Sequence, residues 1–422
     1  MSEPSRYADL SHAELTRLIP ELMLVGQMID RSGMAWCISA FGREEMVQIA
    51  IEEWAAASPI YTARMQRALD FAPEVPGRGD VVTIFKGLQL DIGAPPQFLD
   101  FRFTVHDPWH GEFALAHCGA LVDVEPMGEA YVAGMCHTIE DPTFDATAVA
   151  TNPKAQVRPI HRPPGVPAAG PVCAWTVTID HAFPDAVGIP ALAVNALSRA
   201  AATELAPIVR GVSAGGAEGD GLGDYRGPLM SDLDFASFSH SALVRIADEM
   251  CLQMALLDRA FVLALQKRCA GADLVALRRK QLTGFSGIAA RRLARALGLG
   301  TTPGDALRLL ELHPMLNPAA YVGLVVGEEG LQVLPGPADE DGAWVTLMGR
   351  EWTAPLSAAV REVDPSFDVE VTADPAGAGW RIAIVRTPGP REVCDEVAVT
   401  LFSSGSDFVF EPRRSLPVVG VS

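Results

Sequence analysis

The sequence predicts an α+β protein built by tandem duplication, in which a unit of three helices and a small antiparallel sheet occurs twice about a pseudo-two-fold. The first observation behind this is self-similarity. Residues 11–71 align without a gap on residues 239–299: "SHAELTRLIPEL" lies over "SHSALVRIADEM", "MIDR" over "LLDR", and "ARMQRALDF" over "RRLARALGL". The likeness continues in order, "MGE" at 127–129 answering "MGR" at 348–350 and "DPTFD" at 141–145 answering "DPSFD" at 364–368. Several matches in one order mark an internal repeat. The second observation is a change of apolar period inside the unit, from helical spacing to strict alternation.

In the first copy, Ser11 and Glu14 form a capping box, which satisfies the free amide groups of a helix start. Leu15, Leu18, Ile19, Leu22 and Met23 follow at helical spacing. A second helix is expected over 43–58, stopped by Pro59, and a third over 60–69. Phe101, Phe103 and Val105 alternate with Arg102, Thr104 and His106, which reads as a strand. Further strands are expected over 113–122 and 172–179, with a weaker one over 156–161. A short amphipathic helix over 128–139 would be ended by an Asp141–Pro142 turn. The expected organisation is a first copy over 1–182, a helix (190–210) and glycine-rich linker within 183–232, and a second, degenerate copy over 233–422.

Composition bounds the function. The chain has 422 residues, 49% hydrophobic and 20% charged, which is globular and long enough for two or three domains. A net charge of −19 argues against nucleic acid and against an anionic membrane surface, both of which require clustered Lys and Arg. No apolar run reaches bilayer length, and the opening "MSEPSRYADLSHAE" lacks a signal-peptide pattern. Seven cysteines, an odd number over a long chain, suit reduced thiols, so the expected compartment is the cytoplasm. The expected partner is a small molecule, and the two copies make an internal pseudo-dimer.

The duplication sorts the chemical candidates. Ser11–His12 recurs as Ser239–His240, and Asp141–Pro142 as Asp364–Pro365, so these serve the shared fold. Thiols and imidazoles instead collect in the first copy: Cys118, Cys136 and Cys173, with His106, His110, His117, His137, His161 and His181. On a strand, Cys118 shares a face with Ala114, Ala116 and Ala120. On a helix, Val132, Met135, Cys136 and Ile139 form one stripe. Cys173 lies on the face of Trp175, Val177 and Ile179. All three thiols therefore point inward and can meet. The competing reading is that they fill the core as small hydrophobes. Cys-x-x-Cys pairs, the stronger zinc signal, do not occur. His106 and His110 flank Pro108 and read as a loop. Asp123, Glu125 and Glu129 read as a solvated turn. Gly211-Val-Ser213-Ala-Gly215 fits a nucleophile-elbow pattern but follows a helix instead of a strand.

Two stretches carry a resemblance: "LSHAELTRLIPELM…GMAWCISAFGREEMVQIAIEEW", and the strand "CAWTVTI" after Cys118 and Cys136. Over residues 10–180 they resemble the L-2-amino-thiazoline-4-carboxylic acid hydrolase-like proteins of bacteria and, more distantly, the small-ligand domains related to vinyl-4-reductase. The resemblance implies a hydrolase-like enzyme acting on a small polar heterocyclic or amide substrate. In that reading Cys118, Cys136 or Cys173 is the thiolate nucleophile and His137 or His161 the base. Alternatively Cys118, Cys136, His137 and Cys173 hold a zinc or iron ion that activates water. The second reading is a non-catalytic small-molecule-binding or accessory protein with a cavity between helices and sheet. Either way the site is expected in the first copy, because the second has exchanged its thiols and imidazoles for Ser, Ala and Val.

Overall fold

The computed structural model describes residues 3–165, 169–209, 221–327, 330–374 and 379–421. The Gly211–Gly215 match lies outside the described residues, as does most of the linker. The first half runs α1 (His12–Phe41), α2 (Arg43–Ala68), α3 (Val81–Leu88), β1 (Leu99–Asp107), β2 (His110–Cys118), α4 (Gly119–Val124) and α5 (Glu129–Ala133). A π-helical turn (Gly134–Ile139) follows, then α6 (Glu140–Val149), β3 (Ala155–His161) and β4 (Cys173–Ile179). Two short helices, α7 (Pro190–Asn195) and α8 (Arg199–Ala202), lead to the second half. That half runs α9 (His240–Leu265), α10 (Gly271–Leu297), α11 (Pro303–Leu312), β5 (Gly323–Gly327), β6 (Gly330–Leu334), α12 (Pro337–Glu340) and α13 (Ala354–Arg361). It ends with β7 (Phe367–Ala373), β8 (Trp380–Arg386) and α14 (Asp395–Leu401). The fold is α+β, with two antiparallel four-stranded sheets of the same order, β1-β2-β4-β3 and β5-β6-β8-β7.

The capping box at Ser11 forms as expected, Ser11 Oγ accepting from the Glu14 amide while Glu14 accepts from the Ser11 amide. The stop at Pro59 does not occur. Pro59 lies inside a continuous α2, so the expected second and third helices are one. An interior proline costs about 3 kcal/mol in an isolated helix. Here α2 is held against α9, and buried Asn195 donates from Nδ2 to the Ala56 and Leu256 carbonyls, 3.0 Å each. Tertiary packing thus overrides the local breaker. The helix predicted over 190–210 is likewise only the short pair α7 and α8.

Two further expectations change. The strand expected over 113–122 ends at Cys118, whose Sγ accepts from the Leu121 amide 3.3 Å away and caps α4. The turn is steric as well, since a Cβ on Gly119 would lie 2.1 Å from the Phe98 ring. Asp141–Pro142 is no turn, because Pro142 lies inside one unbroken helical run from Glu129 through the π turn to Val149. Thr143 Oγ1 donates to the nearby Ile139 carbonyl at 2.8 Å. The matching "DPSFD" instead makes an Asx turn into β7, Asp364 Oδ1 accepting from the Ser366 amide at 2.8 Å.

The two halves interlock. α1 packs along α9 and α10, and α2 along α9. Leu15, Leu22 and Tyr61 share one core with Ile246, Met250 and Leu293. The polar contacts between halves are reciprocal. His12 Nε2 donates to the Phe238 carbonyl at 2.8 Å, and His240 Nε2 to the Leu10 carbonyl at 2.7 Å. Arg64 pairs with Glu249 at 3.0 Å, and Arg292 with Glu21 at 2.5 Å. The sheets differ in what they cover. Val333, Phe367 and Ile382 of the second belong to the bundle core, whereas Phe113, Trp175 and Val177 of the first form a separate core with Ile84 and Phe85 of α3. The first sheet therefore stands off the helix bundle, and the space between them is the site described next.

Candidate functional site: a cavity under the first sheet

The gap is a cavity of about 280 Å³, near the lower end of the range that small ligands occupy. Met34 and Ile38 of α1, Val47 and Trp54 of α2, and Phe101 and Leu115 of the sheet supply apolar wall. The opposite wall is Ala120, Asp123, Met135 and Glu140, and Thr400 and Ser403 close one side from the second half. Both halves thus build one pocket.

Its polar groups come chiefly from α1 and from the helical segment around the π turn. Arg31 Nε lies 3.6 Å from Asp123 Oδ2 and has no hydrogen-bond partner among the described residues. Asp123, expected in a solvated turn, accepts from Ser403 Oγ at 2.6 Å and from the Ser404 amide at 2.7 Å. Trp54 Nε1 donates to Asp30 Oδ1 at 3.0 Å, and burial raises the Asp30 carboxyl above its usual range. Asp91, which accepts from Tyr61 and the Gly93 amide, is pushed up to about 6 by burial. Glu140 follows the π turn directly, faces the cavity half-buried, and is pushed up to about 7. Burial is the main cause, and Arg31 and Arg162 pull against it. A carboxyl poised near neutrality inside a mostly apolar pocket is a group that can hold or release a proton.

Three predicted site residues, Cys118, Cys136 and Cys173, lie close enough to Glu140 to feel its charge, and neither they nor His137 and His161 line the cavity. Cys118, Cys136 and Cys173 are all buried. Burial and then the Glu140 charge push Cys136 and Cys173 up to about 12 and raise Cys118 further, so all three are thiols at neutral pH. His137 Nε2 donates to the Pro163 carbonyl at 2.8 Å and His161 Nε2 to the Pro171 carbonyl at 3.1 Å. Both imidazoles therefore brace the chain joining β3 to β4. The thiols feel one another's charge, yet the donor atoms of Cys118, Cys136, His137 and Cys173 do not converge to within 4.8 Å of one another. As placed, this set does not fit a metal ion.

The chain matches no protein-family model, no curated protein and no solved structure. No described helix is long and apolar enough to cross a membrane. Sequence reasoning missed Arg31 and Glu140. Arg31 recurs as Arg259 in the repeat and so reads as a fold residue, and Glu140 hides in the motif taken for a helix-ending turn.

The raised carboxyls set a pH dependence. Glu140 and Asp248 are held near about 7 and Asp91 near about 6, so the folded chain binds protons that the unfolded chain has released. Their stability contribution is complete below the unfolded carboxyl range and is lost as pH rises through 6 to 7. Calorimetry at constant ionic strength should give a higher melting temperature at about pH 5.5 than at about pH 8. A flat or rising profile would contradict these assignments.

Proposed function

We propose that the protein binds a small molecule in the cavity under its first sheet, the ligand presenting an apolar or aromatic body and an amide or heterocyclic polar end. The carrying observation is the pocket itself, apolar on most sides, with Arg31 and Glu140 in its wall. Arg31 offers donors, and Glu140 accepts or donates according to its protonation. The thiols support the fold in this reading, since they are protonated and lie outside the wall.

The test uses a panel of aromatic amides and monitors the melting temperature. At least one member should raise it in the wild type. Ala35→Trp, which fills the pocket from α1, should abolish the shift, and Cys136→Ala should leave it intact. In Glu140→Gln the affinity should lose the change it shows around pH 7 in the wild type. A shift that survives Ala35→Trp but disappears in a folded Cys136→Ala would return the site to the thiols.

One observation favours a hydrolase-like activity as a second reading. A half-buried carboxyl near neutrality is suited to general-base catalysis, so Glu140 would activate water beside a bound amide. Turnover would then rise with pH to a plateau above about 7 and be lost in Glu140→Gln.

We also read the chain as a duplication whose copies fused into an internal pseudo-dimer, over 1–182 and 233–422. The common strand order and the reciprocal His12/His240 and Arg64/Arg292 contacts support it.

A further inference from the structure

We propose that His106, His110 and Glu112 form a divalent transition-metal site on the outer face of the first sheet, independent of the cavity. The β1–β2 hairpin creates it. A register shift between Val105 and Asp107 displaces His106 from regular pairing, while His110 and Glu112, two residues apart on β2, project from one face. One donor atom from each residue lies within 4.8 Å of the other two.

Internal pairing accounts for the cluster only in part. His106 Nε2 lies 3.3 Å from Glu112 Oε1, yet it is buried with no hydrogen-bond partner among the described residues. The His106 and His110 rings stack at 4.8 Å between centroids, which brings both imidazoles to one spot on the sheet face. A cation between the two rings and the carboxylate would take the unpartnered nitrogen and draw the three donors to one point. His110 Nε2 also contacts Thr176 Oγ1 at 3.2 Å, a bond on β4 that steadies the ring if Nδ1 ligates and is given up if Nε2 does.

Two imidazoles and one carboxylate suit zinc and its neighbours better than magnesium or calcium, which favour all-oxygen shells. Three protein ligands leave a coordination position for water or a ligand atom. The donors need only side-chain rotation to close, because the strands beneath are fixed by the β1–β2–β4 ladder.

Titration of metal-free, full-length protein with Zn²⁺ by calorimetry tests the site. One equivalent should bind. His106→Ala and His110→Ala should each weaken uptake at least about tenfold, and the double variant should abolish it. These side chains are only partly buried, so circular dichroism and the melting temperature should remain near wild type. Cys118→Ser and Cys136→Ser should leave uptake unchanged. Absence of uptake by the wild type would overturn the proposal, as would uptake that persists in the double histidine variant. Loss of uptake in the cysteine variants alone would overturn it too.

Discussion

Arg292→Ala is expected to lose about 3–5 kcal/mol of stability, because it strands a buried carboxylate and several carbonyls together. The Arg292 guanidinium is almost fully buried. It donates to Glu21 Oε2 at 2.5 Å, to the Gly405 and Ser406 carbonyls at 2.7 and 3.1 Å, and to the Phe408 carbonyl at 2.8 Å. Removing it leaves Glu21, among the described residues, with the more distant Arg295 alone. It also frees the segment after α14, whose Ser403 helps close the cavity and holds Asp123 against Arg31. The variant should therefore unfold at lower denaturant and bind cavity ligands more weakly at temperatures where it is still folded. The reciprocal contact supplies the control. Arg64→Ala removes the reciprocal pair, but Glu249 keeps Arg245 at 2.9 Å, so that loss should be smaller. Equal losses from the two variants would mean that the pairs, and not the tethered segment, set the effect.

Trp175→Ala is expected to cost about 3–5 kcal/mol through the cavity it leaves in a core that cannot collapse. Trp175 is 1% exposed, stacks on Phe113 at 6.2 Å, meets Phe144 edge-on at 4.9 Å and lies under the Arg162 guanidinium. That core is separate from the bundle, so the damage should concentrate in the first sheet. Hydrogen exchange should show β1–β4 and α6 losing protection well before α9 and α10. Trp175→Phe keeps a ring and removes only an indole N–H whose partner is the Cys173 sulfur, so it should lose markedly less. Loss of protection spread evenly over both halves would show that the first sheet unfolds only with the bundle.

The candidate site was legible only in outline. Inward-facing Cys118, Cys136 and Cys173 follow from strand alternation and helical spacing, and the structure buries all three side chains. Whether they line an opening depends on which wall faces the bundle, and that is a matter of packing between elements far apart in sequence. The His106–His110 pair shows the same limit. Pro108 rules out a helix and suggested a loop, but the chain makes a tight hairpin, Asp107 Oδ1 accepting from the Trp109 amide at 2.7 Å. Across that hairpin the two rings come into contact.

The sequence by itself determined the features written into short windows or repeats. These are the capping box at Ser11, the alternation of Phe101, Phe103 and Val105, the α+β class, and the likeness of residues 11–71 to 239–299, which marks His12 and His240 as fold residues. Each rests on backbone hydrogen bonding or on a period of 3.6 or 2, which neighbouring residues specify among themselves. Tertiary structure alone decided that Pro59 lies within one helix, that Arg64 and Arg292 reach across to the opposite half, and that the first sheet stands off the bundle. It alone made a proton-holding group of Glu140. The common reason is desolvation by distant chain. A proline's local penalty, a carboxyl's proton affinity and a cavity's existence are set by what packs against them, and that partner lies up to hundreds of residues away.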